Sequence, residues 1–138
     1  KYEICRTYLF QMMIAYMFGN YELAAEIADK NKVFIKRMDG SFVLCFHLFY
    51  YGLISLALAR KSKEDRWNTI FEMCMEKLQR QARRAPFNVQ HKVFLLEAEY
   101  AFLCGEDDKA RLKYDASAAL AGKNEFGQDQ ALAYERAG

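Results

Sequence analysis

The stretch GSFVLCFHLFYYGLISLALA, residues 40–59, is the longest part of this sequence without a charged side chain. Its length is that of a helix that spans a membrane, which needs about 20 apolar residues. The stretch nevertheless holds His47, Gly52 and Ser55 as well as two tyrosines. A helix enclosed by other helices has no solvent-facing side and needs no charged stripe. We therefore predict a buried core helix here and no membrane span.

The composition of the whole chain is that of a folded all-α domain. Its 138 residues amount to about one domain. With 53% hydrophobic residues and a net charge of +2, the chain is too apolar for disorder and too weakly basic to attract nucleic acid. Seven glycines, a single proline and an excess of alanine and leucine over β-branched residues favour helices over strands. We predict an all-α fold without a nucleic-acid partner.

Glycines and polar turn residues divide the chain into pairs of helices. Ser41 and Asn88 are predicted N-caps, and Pro86 is expected to close the fourth helix. The predicted hairpins cover about residues 3–37, 42–85 and 88–122, and a seventh helix is predicted to start within 126–138. Because that last helical pattern is interrupted at Gly138, we expect the chain to be a segment of a longer protein.

The predicted helices alternate in character along the chain. The third and fifth are apolar nearly all round, whereas the fourth and sixth carry their charged residues on one face. In a stacked array the first helix of each pair lies between neighbours, and the second faces solvent on one side. The alternation predicts a right-handed α-solenoid of antiparallel helix hairpins, with about six helices and the start of a seventh.

A short motif recurs at the turns of the first and last hairpins. Gly19 is followed five residues later by Ala24, and Gly105 is followed in the same way by Ala110. This pattern resembles the turn of a tetratricopeptide repeat, where glycine reverses the chain and alanine lets the helices approach closely. Seven residues before each glycine lie Met12 and Ala98, and Gly52 takes the equivalent place in the middle hairpin. These positions are further apart than the ~34 residues of a regular repeat, so the repeats are degenerate.

A second resemblance covers roughly residues 42–138. Short segments occur in an order and spacing similar to those of one family of large multidomain sensor proteins. The segments are Gly52-Leu53, Leu56–Arg60, Ala85–Asn88 with His91, Leu95–Glu99, Tyr114-Asp115, Asn124–Phe126 and Gln130–Glu135. In that family a tetratricopeptide-like helical repeat region lies between an ATPase module and a GAF and histidine-kinase portion. A serine/threonine-kinase-like domain often comes first.

The resemblance implies a non-catalytic interaction or coupling module of a cytoplasmic signalling protein. Its partners would be the adjacent domains of the same polypeptide, or a protein or peptide. Two alternatives stay open at this point. The chain could be the helical repeat region of a large ATP-dependent transcriptional activator, or a stand-alone peptide-binding adaptor. Composition and periodicity by themselves predict only an α-solenoid.

The four cysteines lack the spacing of a metal site. No CxxC pair occurs among Cys5, Cys45, Cys74 and Cys104, and the chain has only two histidines that could complete a metal site. Each lies in an apolar helical stretch, so we predict buried thiols in a reducing compartment, which favours the cytoplasm. We expect no metal and no cofactor in this segment.

Motifs for nucleotide chemistry are missing from the sequence. It contains no Gly-x-x-x-x-Gly-Lys-Ser/Thr loop and none of the kinase motifs, so we predict no catalytic site. His47 and His91 are predicted to have structural roles in the helix packing. Glu97 and Glu99 are two residues apart and point to different sides of a helix, so they cannot act as an acid–base pair.

The inner helices are the predicted location of binding residues. We expect Lys92 and Glu99 at the exposed fringe of the apolar fifth helix, where they would make polar contacts on a concave face. The basic stretch that contains Lys77, Arg80 and Arg83 is predicted to be a solvated outer face because acidic and neutral residues are interspersed with it.

Overall fold

The computed structural model describes residues 2–36, 42–123, 132, 133 and 136, and within these ranges it contains helices and no strand. This confirms the predicted all-α class. The helices are α1 (Tyr2–Met17), α2 (Tyr21–Ile35), α3 (Phe42–Ser62), α4 (Asp65–Arg84), α5 (Pro86–Leu103) and α6 (Asp107–Lys123).

The start of α5 differs from the prediction. Ala85 is the N-cap and Pro86 is the first helical residue, so Asn88 lies inside the helix and does not cap it. Proline suits this position because its φ is already helical and its missing N–H would have had no partner there. The same proline therefore begins α5, while α4 ends at Arg84. The predicted cap Ser41 and most of the predicted seventh helix lie outside the described residues, although residues 132, 133 and 136 are helical.

The chain divides into two compact units, residues 1–74 and 75–138, which we call the first and second units. In the first unit α1 and α2 form a hairpin, and α3 packs against both of them. Ala24 and Ala28 of α2 are fully buried, and their small side chains let the neighbouring backbones approach closely. Phe49, Tyr50 and Ile54 of α3 are also fully buried. The described part of the uncharged stretch, residues 42–59, therefore belongs to a core helix, as predicted.

The second unit is built on the hairpin of α5 and α6. The buried face of α6 is made of small residues and one tyrosine, namely Ala110, Tyr114, Ser117, Ala118 and Ala121. The Ser117 hydroxyl donates a hydrogen bond of 2.8 Å to the backbone carbonyl of His91 on α5. This close polar contact is possible because the side chains between the two helices are small.

The two Gly-x-x-x-x-Ala turns have the same backbone geometry. Gly19 and Gly105 adopt φ values of +77° and +81°. The N–H of each glycine bonds to the carbonyl three residues earlier, and the next N–H bonds to the carbonyl five residues earlier. This is the Schellman arrangement that ends many helices. The motif recognised in the sequence thus marks one structural element used twice.

Candidate binding sites

An open apolar groove lies between α1 and α3 in the first unit. We call it the α1–α3 groove; its volume is about 410 Å³, and it is lined by Arg6, Leu9, Phe10, Met13, Phe42, Val43 and Phe46. Phe10 and Phe42 are each 61% exposed. Large aromatic side chains are strongly favoured in interface cores, so two of them exposed beside one groove indicate a contact surface.

The exposed apolar surface continues along α1 beyond the groove. Ile14 and Met17 follow Phe10 at intervals of four and three residues, Phe18 comes directly after α1, and all four side chains are exposed. Residues with this spacing lie along one side of a helix. The first unit therefore presents an apolar stripe on α1 in addition to the groove.

A buried carboxylate is the centre of the polar contacts in the second unit. Glu99 of α5 is only 2% exposed. The hydroxyl of Tyr114 on α6 donates a hydrogen bond of 3.0 Å to Oε2 of Glu99. Arg136 donates through Nε to Oε1 of the same carboxylate, and its Nη2 lies 3.4 Å from Oε2. A buried charge is stable only when it is paired and hydrogen-bonded, and these contacts meet that requirement.

Lys92 and His91 lie side by side at the start of α5, and both are buried. The Nζ atom of Lys92 lies 3.5 Å from Nε2 of His91. The His91 carbonyl accepts the hydrogen bond from Ser117. The His91 side chain is thus buried within the second unit, as predicted, and its main chain takes part in the α5–α6 contact.

The predicted exposure of Lys92 and Glu99 is wrong. Each side chain is only 2% exposed, because the second unit encloses more of α5 than its sequence pattern indicated. The structure brings Glu99 together with Tyr114 and Arg136, neither of which the sequence reasoning assigned to a site. That both residues bind a partner stays a prediction.

A more polar groove lies elsewhere in the second unit, with a volume of about 470 Å³. On its wall Lys113 Nζ lies 3.6 Å from Oε1 of Glu97 and 5.0 Å from the ring centre of Phe94. Glu97 thus forms an ion pair with Lys113 of the same α5–α6 hairpin. Arg83 also lines this groove, and it is exposed together with Lys77 and Arg80. The predicted solvated face of α4 is therefore confirmed.

Buried polar side chains also occur in the first unit. The Asn31 amide nitrogen lies 3.3 Å from Nδ1 of His47, and the His47 ring makes an edge contact with the ring of Tyr51 at 5.6 Å. Burial raises the pKa of Tyr51 to about 12, with smaller contributions from Cys74 and Asp29. His47 is therefore an interior histidine, as predicted.

The cysteines agree with the prediction at three of four positions. Cys5, Cys45 and Cys74 are buried, and burial raises the pKa of the Cys5 thiol. Cys104 is exposed, so its predicted burial is wrong. It caps the C-terminal end of α5, where the chain turns at Gly105 toward solvent. Among the described residues no three histidine, cysteine or acidic side chains are placed to hold a metal ion.

One described helix, α3, is long and apolar enough to cross a membrane. In the structure 78% of its most apolar window is buried inside the protein, which is the behaviour of a core helix.

No family model, no curated protein and no solved structure matches this chain.

Proposed function

We propose that this chain is a non-catalytic helical-repeat module that couples domains of a cytoplasmic multidomain signalling protein, a sensor kinase with an ATPase module. The α1–α3 groove is the observation that carries the proposal. A groove of this kind, lined by exposed aromatic side chains, provides binding surface without any catalytic group. The parent protein is inferred from the ordered sequence resemblance over residues 42–138.

The order of the helices supports a repeat architecture. The first helix of one hairpin, α1, lies beside α3, the helix that follows that hairpin. In a right-handed tetratricopeptide-like solenoid the first helices of successive hairpins are neighbours in this way and line the concave face. The identical turns at Gly19 and Gly105 support the same interpretation, because a repeat reuses its turn geometry.

Such a module would act through helix packing and would carry out no chemistry. A segment seated in the α1–α3 groove contacts both helices and favours the spacing between them that fits it best. A ligand shifts a conformational equilibrium by its differential affinity for the two states. The adjacent domains would receive that bias through the packed helices.

The full-length coding sequence provides the first test. We expect a Walker A loop upstream of residue 1 and GAF and histidine-kinase motifs downstream of residue 138. A helix-turn-helix domain at the end in place of a kinase would favour the transcriptional activator instead. An open reading frame without any of these domains would overturn the proposal.

Substitutions in the groove test the coupling itself. In the full-length protein, Phe10→Ser combined with Phe42→Ser should uncouple ATP hydrolysis from autophosphorylation, because both side chains are exposed at the groove. Val33→Ser is the matched control, since Val33 is an exposed apolar residue of α2 that does not line the groove. Autophosphorylation should fall about tenfold or more in the double variant, the loss of roughly 1.4 kcal/mol of coupling. Equal activity of the double variant and the control would refute the role of the groove.

A further inference from the structure

We propose that Glu99 and Tyr114 form a guanidinium-binding site in the second unit, and that Arg136 is its intramolecular ligand. The site takes an arginine side chain in preference to a lysine. This inference does not depend on the proposed signalling function, because it concerns the contacts that Glu99 makes with Tyr114 and Arg136.

The selectivity follows from the geometry of the contacts. Arg136 reaches the two carboxylate oxygens of Glu99 with two different nitrogens, Nε toward Oε1 and Nη2 toward Oε2. A guanidinium group is planar and presents its N–H groups as a rigid fork that matches a carboxylate. An ammonium group is a single point donor on a flexible stem and cannot reproduce both contacts.

The α5–α6 hairpin holds the two residues of the site, Glu99 and Tyr114, in place. The Tyr114 hydroxyl, on α6, donates to Oε2 of Glu99, on α5, and so fixes the orientation of the carboxylate. The bond from Ser117 to the His91 carbonyl ties the same two helices together. Since Glu99 is almost completely shielded from water, a cation in contact with its carboxylate stabilises the charged form.

The ligand is supplied by Arg136, which is helical, as are residues 132 and 133. Leu132 and Ala133, which precede Arg136 by about one helical turn, are both buried. Burial of these residues keeps Arg136 close to Glu99, so the guanidinium group is present at a high effective concentration. A free guanidinium compound therefore cannot compete well until Arg136 is removed.

The repeat pattern places the site where another helix packs. Glu99 follows the fully buried Ala98, as Met13 follows the fully buried Met12 in the first unit. Met13 lines the α1–α3 groove, which α3 borders. In the second unit the corresponding position carries a carboxylate, and Arg136 supplies a guanidinium group that pairs with it.

Removal of the resident ligand is the most direct test. In the intact chain with Arg136→Ala, added ethylguanidinium should shift the NMR resonances of the Tyr114 ring in a saturable way. Ethylammonium, the matched control compound, should bind at least tenfold more weakly. The wild-type chain should show no saturable shift, and the double variant Glu99→Gln/Arg136→Ala should show none either. A folded Arg136→Ala chain that shows no saturable shift, or that binds both compounds equally, would overturn the proposal.

A measurement on the wild-type chain keeps the test decisive if the variants unfold. The Nε–H of Arg136 should exchange with solvent at least tenfold more slowly than the corresponding N–H of Arg80. Arg80 is a suitable reference because it pairs with Glu76 on the exposed face of α4. The Arg136 side chain is 31% exposed and that of Arg80 54%, so equal exchange rates of the two arginines would contradict a guanidinium group held against the buried Glu99 carboxylate.

Discussion

The side-chain amide of Asn31 and the imidazole of His47 meet inside the first unit, with Nδ2 of the amide 3.3 Å from Nδ1 of the ring. Both side chains are buried. An amide group and an imidazole nitrogen at this distance can form a hydrogen bond. This contact joins α2 to α3 and makes a polar pair part of an otherwise apolar core.

Removal of the amide should therefore destabilise the protein. We expect Asn31→Ala to lower the free energy of unfolding by about 2 kcal/mol, because it removes a buried hydrogen bond and leaves a cavity. Asn68→Ala, the same substitution at an exposed position in α4, should change stability by less than about 0.5 kcal/mol. Urea denaturation of the two variants measures the difference. Similar values for both would show that the Asn31–His47 contact contributes nothing.

Alkaline pH should weaken the protein through Tyr51. Burial raises its pKa to about 12 in the folded state, against 10.0 for an ordinary tyrosine. The folded state therefore holds the hydroxyl proton more tightly than the unfolded state does. This contribution to stability is fully present below pH 10 and is lost as the pH rises toward 12.

The expected loss is on the order of 1–2 kcal/mol once partial solvation of the hydroxyl is allowed for. Urea denaturation at pH 9 and at pH 11.5 should show this loss of stability in the wild type. The control variant Tyr21→Phe should show the same loss, because Tyr21 is only half-buried in the wild type. Tyr51→Phe should lack this part of the decline. The same decline in all three proteins would rule Tyr51 out as its source.

The turn glycines should resist substitution for conformational reasons alone. Gly105→Ala and Gly19→Ala should each cost about 1 kcal/mol, because an alanine is strained at positive φ. A Cβ atom at either position would have no neighbour within 4 Å, so no steric clash adds to the cost. Lys63 adopts a φ of 59°, and Lys63→Gly should stabilise the protein by about 0.5–1 kcal/mol. Thermal unfolding should show a lower melting temperature for the two glycine-to-alanine variants and a higher one for Lys63→Gly. A lower melting temperature for Lys63→Gly would contradict the prediction.

Small residues on α6 should be needed for the contact with α5. Ala118→Leu should destabilise the second unit by about 1–3 kcal/mol, since its Cβ is buried and a larger side chain overpacks the interface. Ala119→Leu is the neighbouring control at an exposed position, with an expected change below about 0.5 kcal/mol. Chemical denaturation of the two variants measures the difference. If Ala119→Leu were the more damaging of the two, the assigned buried face of α6 would be incorrect.

Thiol reactivity should separate Cys104 from the other cysteines. Cys104 is exposed, whereas the remaining three are buried. A disulfide reagent at neutral pH should therefore modify one thiol of the native chain rapidly and the other three only on unfolding. Cys104→Ser should remove the rapid phase and leave the slow phase unchanged. A rapid phase that survives this substitution would mean that another cysteine becomes accessible in solution.

The sequence by itself determined the helical class, the buried nature of α3 and the position of the glycine turns. Each depends on local information: apolar residues at helical spacing, a charge-free stretch, and a glycine at each of two helix ends where φ is positive. The buried face of α6 was also predictable, because Ala110, Tyr114 and Ala118 recur at intervals of four residues.

Only the tertiary structure decided where Lys92, Glu99 and Cys104 lie. The spacing of charged residues on α5 indicated an exposed fringe, yet Glu99 is buried because Tyr114 and Arg136 satisfy its charge. Both partners are distant in the chain, and no helical periodicity connects them to Glu99. A carboxylate can leave water only when long-range folding brings its donors to it, and that is a property of the assembled packing.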